Sequence, residues 1–269
     1  MQKAFSYKSK DFLEKNCGLS VIEKWPSVYC PLHWHEFIEV ELVLDGEGCQ
    51  TRNGKDENLS AGSLTVLLPT DFHCVTPGKD LHLITLSIDD RLLSEEILAA
   101  LMGEGDLFFT LSPEHTAEIA ALLGLMNSES TAGVSNKRYL KHLIFCLFLK
   151  ILQFTPKKAT TSAKLSAPLQ SALIFLKMHF RENPSLADAA KIAHYTPSHF
   201  SAEFHREMGV TYSAYLNELK LSFAKELLLT TDAKITEVCF ESGFTSHSNF
   251  LRLFKEDTGL SPKEYRTKA

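Results

Sequence analysis

Two stretches near the end of the chain repeat one another, and the repeat dictates most of what that region can become. YTPSHFSAEFHREMGVTYSAYL at 195–216 and GFTSHSNFLRLFKEDTGLSPKEYR at 243–266 match Phe200 with Phe250, Phe204 with Phe254, Gly209 with Gly259 and Tyr215 with Tyr265, each fifty residues apart. Just upstream, LADAAKIAHY aligns with ITEVCFESGF, Leu186 on Ile235 and Ala190 on Cys239, at an offset of forty-nine. The second copy therefore has one more residue in its turn. Each copy reads as a short helix, a tight turn and a second helix, the helix-turn-helix plan. Ala190 and Cys239 are small where two helices must cross closely. Gly243 falls where the turn can demand positive φ, and His194 holds that place in the first copy. Thr196-Pro197 and Ser261-Pro262 carry the signature of an N-cap followed by a first-turn proline, and Ser261 with Glu264 has capping-box spacing. Between the copies, TYSAYLNELKLSFAKELLL predicts one long helix with Tyr215, Leu219, Phe223 and Leu227 on a stripe. Over residues 212–229 it would measure about 27 Å at about 1.5 Å per residue.

A chain of 269 residues is long enough for two domains, and 44% hydrophobic with 23% charged residues excludes a disordered or fibrous class. The Thr-, Ser-, Lys- and Pro-rich segment TPKKATTSAKLSAP, 155–168, predicts a linker between a domain at 1–154 and an all-helical one at 169–269. Residues 20–88 hold short β-like runs, EVELVLDG, GSLTVLLP and LHLITLSI, punctuated as in a small antiparallel barrel or sandwich. The period then becomes helical in SEEILAALM, SPEHTAEIAALLGLM and NKRYLKHLIFCLFLKILQF. The last is apolar nearly all round, which predicts burial against other helices or a second subunit. Its greasy core is too short for a membrane span and contains Lys150. Six scattered cysteines without a CxxC pair, and an N-terminus without an apolar core, fit a cytoplasmic protein with free thiols. The net charge of −5 lies mainly in the first half, and an acidic chain argues against indiscriminate nucleic-acid binding.

ITEVCFESGFTSHSNFLRLFKEDTGLSPKEYR resembles the signature of the AraC/XylS transcriptional regulators nearly throughout. The resemblance implies that the second helix of each unit enters the major groove of promoter DNA. Carried over residue by residue, it gives Ser198, Ser201 and Ala202 as readers in the first unit, and His247, Ser248 and Arg252 in the second. The guanidinium fork of Arg252 suits O6 and N7 of a guanine. Arg206 and Lys255 suit phosphates. At Ala202-Glu203 the sequence departs from the family, where an arginine or similar reader is common, so the first unit is expected to contribute mainly backbone contacts.

In the first half, HWHEFIEVELVLDGEG sets His33, His35 and Glu39 on one face of a strand. The spacing, through Gly46, resembles the first cupin motif, and GSLTVLLPTDFH resembles the second, with His73 in the remaining position. Ser27, Leu68 and Thr70 depart from those motifs. Three imidazoles and a carboxylate can hold Zn, Fe, Mn or Ni. Regulators of this family commonly keep the HxH pair with no metal, so the resemblance implies a small effector, a sugar being common, at His33, His35, Glu39 and His73. No metal, cofactor or catalytic residue is expected. The expected protein is α+β: a cupin-like antiparallel β-barrel with C-terminal flanking helices, then an all-α domain of two helix-turn-helix units joined by a long helix. It would dimerise through helices between about 91 and 154 and activate transcription by recruiting RNA polymerase. The principal rival is a metal-dependent cupin enzyme with a C-terminal DNA-targeting module. A constitutive DNA-binding protein with a vestigial barrel is the third reading.

Overall fold

In the computed structural model, which describes residues 5–7, 13, 18–104, 107–132, 136–156 and 166–268, the alternating runs of the first half form two five-stranded sheets. The strands are β1 Phe5–Tyr7, β2 Leu19–Lys24, β3 Cys30–His35, β4 Ile38–Asp45, β5 Glu47–Arg52, β6 Lys55–Ser60, β7 Ser63–Leu67, β8 His73–Pro77, β9 His82–Ile88 and β10 Phe108–Thr110. One sheet runs β1-β3-β8-β5-β6 and the other β10-β7-β4-β9-β2. The pairings are antiparallel except that β1 joins β3 in parallel. The expected cupin-like antiparallel β-domain is present, its two sheets forming an open, jelly-roll-like sandwich rather than a closed barrel. The chain leaves one sheet for the other at the corner between β4 and β5. Gly46 turns there with φ +79°, and a Cβ on it would sit 2.2 Å from the Asp80 carbonyl oxygen. Glycine is what lets the chain make that turn.

Side-chain alternation on β4 divides the sandwich into an outer and an inner layer. Ile38, Val40 and Leu42 are wholly buried on the outer face of their sheet, the sheet on which α2, Pro113–Thr131, packs across β2, β4 and β9. The alternate residues Glu39, Glu41 and Val43 point into the interior. One end of that interior is apolar, built from Val43, Leu59, Val75, Leu81 and Leu83. The other end is polar and forms the candidate site. Around the sandwich stand α1, Glu95–Glu104, and α3, Lys137–Phe154, the latter burying Leu140, Leu143, Ile144, Leu147, Phe148 and Ile151. Its opposite side leaves Tyr139, Phe145 and Leu149 exposed, beside exposed Leu125 of α2. Among the described residues, no helix is long and apolar enough to cross a membrane.

The chain divides into two compact units, 4–160 and 161–269. Most of the linker segment, residues 157–165, lies outside the described residues. The second unit holds α4 Ala167–His179, α5 Leu186–Ile192, α6 Pro197–Met208, α7 Tyr212–Thr230, α8 Ile235–Glu241, α9 His247–Thr258 and α10 Pro262–Lys268. The repeat is reproduced in the caps of α6 and α9. Thr196 and Ser246 accept from the backbone N–H three residues on, and α6 and α9 end on left-handed Gly209 and Gly259. Phe200, Phe204, Phe250 and Phe254 are all fully buried. Each phenylalanine pair closes on the following tyrosine, Phe204 on Tyr215 at 5.6 Å and Phe254 on Tyr265 at 5.4 Å between ring centres. Ser261 and Glu264 make the expected capping box, the Ser261 N–H donating to the Glu264 carboxylate at 2.8 Å.

Both turns pass through a left-handed residue, His194 with φ +54° and Gly243 with φ +81°, and both are closed by a backbone bond back onto the small helical residue, Tyr195 N–H to Ala190 and Phe244 N–H to Cys239. The long helix departs from the sequence reading at one position: Lys220 lies 3% exposed among its buried apolar residues. Its ammonium donates to Asn183 Oδ1 and stands 5.5 Å from the centre of the Phe244 ring, so it ties α7 to the second copy. Arg181 does the same from the other side, its Nε donating to the Glu241 carbonyl at 2.7 Å while its guanidinium lies over Phe223.

Candidate effector pocket and nucleic-acid interface

At the polar end of the sandwich the four residues named from the sequence come together from both sheets. His33 and His35 lie on β3, Glu39 on β4, and His73 opens β8 directly opposite His33. The His33 and His73 rings are 4.0 Å apart, and His35 and His73 are 5.1 Å apart, centre to centre. Oε2 of Glu39 lies 3.0 Å from Nε2 of His35 and 3.4 Å from Nε2 of His73. Trp34, on the alternate face of β3, packs against Phe72. His73 is delivered by a tight loop in which Thr70 takes φ +74°, the conformation for which the corresponding motif uses glycine. The Thr70 N–H donates to the His35 carbonyl at 3.0 Å, and Asp71 accepts from the Leu68 N–H and from Asn53.

Electrostatics in this pocket follow from burial working against pairing. Burial alone would raise the Glu39 carboxyl, but His35 and His73 beside it hold it well below the ordinary value. For His73 burial opposes the charge, and the Glu39 hydrogen bond and charge outweigh it, raising the imidazolium pKa. For His33, burial and then the neighbouring His73 outweigh the Pro31 hydrogen bond and the Glu39 charge, and lower it to about 3. A second layer escaped the sequence reading. Glu41, two residues beyond Glu39, accepts from Gln50 Nε2 at 2.6 Å, and Gln50 Oε1 accepts from Thr65 at 2.8 Å. Burial, then the Glu39 charge, raise the Glu41 carboxyl. The only advance signal was the Glu-x-Glu alternation on β4, which puts both carboxylates on one face. Oγ1 of Thr85, the residue paired across the ladder from Glu41, is buried and makes no hydrogen bond among the described residues.

In the second unit, α6 and α9 present their polar faces outward. Ser198, Ser201, Ala202 and Arg206 are exposed on α6, and Ser248, Arg252 and Lys255 on α9. His247 is half-buried at the start of α9 with Nε2 unpartnered. Arg252 is held by Glu256 at 2.8 Å and by Asn249 Oδ1 at 2.9 Å, which extends its fork along the helix face. Fifty residues earlier that position is Ala202, and Arg206 is paired with Glu203 and Glu207. Asn249, one turn before Arg252, was not anticipated as part of this surface. Its polar side chain on the same face was the available signal.

Comparison with known proteins agrees with both halves. The family model described as AraC-like ligand binding domain matches residues 17–173, and a helix-turn-helix domain model matches residues 189–268. The chain is 28% identical over 248 residues to the uncharacterized HTH-type transcriptional regulator YfiF of Bacillus subtilis, covering 88% of this chain and 78% of that protein. It is 27% identical over 128 residues to the uncharacterized HTH-type regulator SAS0078 of Staphylococcus aureus, where the match spans 47% of this chain and 17% of the relative. Among solved structures, fatty-acid-bound ToxT from Vibrio cholerae is similar at 16% identity, with 93% of each chain covered and a TM-score of 0.41. With a ligand-binding match over more than half its length and the helix-turn-helix repeat after it, the chain belongs to the AraC family of transcriptional regulators.

Proposed function

We propose that this regulator binds a small polar effector at His33, His35, Glu39 and His73 and reads promoter DNA with α6 and α9. The observation that carries the effector reading is the buried polar end of the sandwich, where His33, His35, Glu39, Glu41 and His73 gather and Thr85 Oγ1 is left without a hydrogen bond. The DNA reading is carried by two matching units with outward polar helices on a single chain. Ser198, Ser201 and Ala202 would approach the backbone or shallow base edges. His247, Ser248 and Arg252 would read bases, and Arg206 and Lys255 would meet phosphates. The exposed apolar side of α2 and α3, with a groove of about 460 Å³ lined by Leu122, Leu125, Cys146 and Leu149, supports dimerisation between copies of the chain. Activation through RNA polymerase in the cytoplasm, without catalysis, completes the reading.

The test is site selection from random duplexes by the full chain, followed by affinity measurements at one stated salt concentration. Arg252→Ala should lose about 1–3 kcal/mol on the selected site and relax preference at one position. Unchanged affinity and base preference in a folded variant would remove Arg252 from the readers.

A further inference from the structure

Two side chains hold the Arg252 guanidinium on the outer face of α9, one from each side. Nη1 donates to both carboxylate oxygens of Glu256 at 2.8 Å, and Nη2 donates to Oδ1 of Asn249 at 2.9 Å. Arg252, Glu256 and Asn249 are all exposed. A guanidinium only donates, so this contact fixes the Asn249 amide: its oxygen faces Arg252 and Nδ2 is turned away. Among the described residues Asn249 makes one other hydrogen bond, from its backbone N–H to Ser246 Oγ at 3.4 Å, which leaves Nδ2 unengaged. An amide oxygen has two lone pairs, so Oδ1 can accept from Arg252 and from a further donor at once. One exposed amide therefore offers an acceptor beside a donor, and adenine presents the complement in the major groove, the N6 amino group beside N7.

We propose that Asn249 is a specificity-determining residue of α9, reading an adenine next to the guanine of Arg252. Oδ1 accepts from adenine N6 while Nδ2 donates to N7. The bonds to Glu256 and Asn249 leave the Nε–H and one Nη2–H of Arg252 for guanine O6 and N7. Residues three apart on a recognition helix contact successive bases in zinc fingers, and Asn249 and Arg252 have that spacing. The inference rests on the reading of Arg252 as a base contact and extends it to a two-base step. The first unit has no counterpart. Fifty residues earlier the three positions are His199, Ala202 and Arg206. The His199 ring packs on Tyr195 at 4.4 Å, and Arg206 pairs with Glu203 and Glu207. The adenine–guanine demand therefore belongs to the second unit.

The test is site selection from random duplexes by the full-length parent, Asn249→Ala, Asn249→Asp and Arg252→Ala, followed by affinities at one salt concentration. The parent site should carry adenine beside the position that Arg252→Ala relaxes. Asn249→Ala should lose that preference, which is at least about fivefold in the parent. Asn249→Asp keeps the acceptor for Arg252 and loses the amide donors. Its preference should turn from adenine to cytosine, whose N4 donates, with the guanine position unchanged. Replacing the adenine by 7-deazaadenine, which lacks the N7 acceptor, should weaken the parent about twofold to tenfold and leave Asn249→Ala unaffected. The backbone bond to Ser246 Oγ survives in every variant, and helical circular dichroism confirms the fold. A parent without adenine preference there, or Asn249 variants that relax only the guanine position, would make Asn249 a mere support for Arg252 and overturn the proposal. If the Asn249 variants lose an adenine while Arg252→Ala changes no preference, the Arg252 reading fails and the adenine reader stands.

Discussion

Replacing Gly243 with Ala adds one methyl group in a place where the second turn has no room for it. The residue has φ +81°, and the new carbon would lie 2.8 Å from both Cα and the carbonyl oxygen of Arg181. The left-handed conformation costs a non-glycine residue about 1–2 kcal/mol. About 0.4–1 kcal/mol of that is offset because alanine narrows the unfolded ensemble. The crowding adds a second component, because both near atoms are backbone and no side-chain rotation relieves them. Arg181 must shift, and its guanidinium donates to the Glu241 carbonyl at 2.7 Å and to the Glu241 carboxylate at 2.8 Å. Weakening one charged bond of this kind costs about 1.5–3 kcal/mol. The total is about 2–4 kcal/mol. Gly259 supplies the control, since it has φ +73° and an added Cβ there would meet nothing within 4 Å. Gly259→Ala should therefore cost only the conformational component, about 1 kcal/mol or less. Urea titration of the 161–269 fragment, followed by helical circular dichroism, measures both at a common slope. Equal losses in the two variants would refute the idea that Arg181's backbone crowds the turn.

Lys220 gives a pH-dependent expectation. Burial lowers its ammonium pKa, so the unfolded chain binds more protons than the folded one between the folded pKa and the unfolded value of about 10.4. Stability should rise with pH through that window, and Lys220→Met should flatten the rise; urea midpoints from about pH 8 to pH 10 decide it, and parallel slopes in both proteins would count against it. Leu125→Glu with Leu149→Glu should convert a dimer of the full chain to monomer in sedimentation velocity, and a dimer that persists would place the interface elsewhere.

The C-terminal half was legible because its signals are local. Caps, turn glycines and the Phe and Tyr positions all recur at one offset, and each acts within a few residues of itself. Lys220 was not legible, because a lysine on a helix reads as solvent-facing until Asn183 and Phe244 are known to surround it. In the first half, HWHEFIE announced the face shared by His33, His35 and Glu39. The Glu41–Gln50–Thr65 chain did not announce itself, since it depends on which strands face one another across the sandwich. The corner at Gly46 is likewise non-local, tight because of Asp80, thirty-four residues away in sequence. Strand β10 was missed because three residues hold too short an alternation to stand out.

The tandem repeat has a directional consequence. Subunits related by a twofold axis look the same from either end of a duplex, but units related by translation along one chain do not. With Ala202 in one reading helix where the other has Arg252, the two halves of a bound site would be unequal in sequence demand as well as in position. Bound through both units, such a protein would lie on DNA with a direction. Inverting its site relative to a gene would turn the α4 end, from which the rest of the chain departs, to face the opposite way.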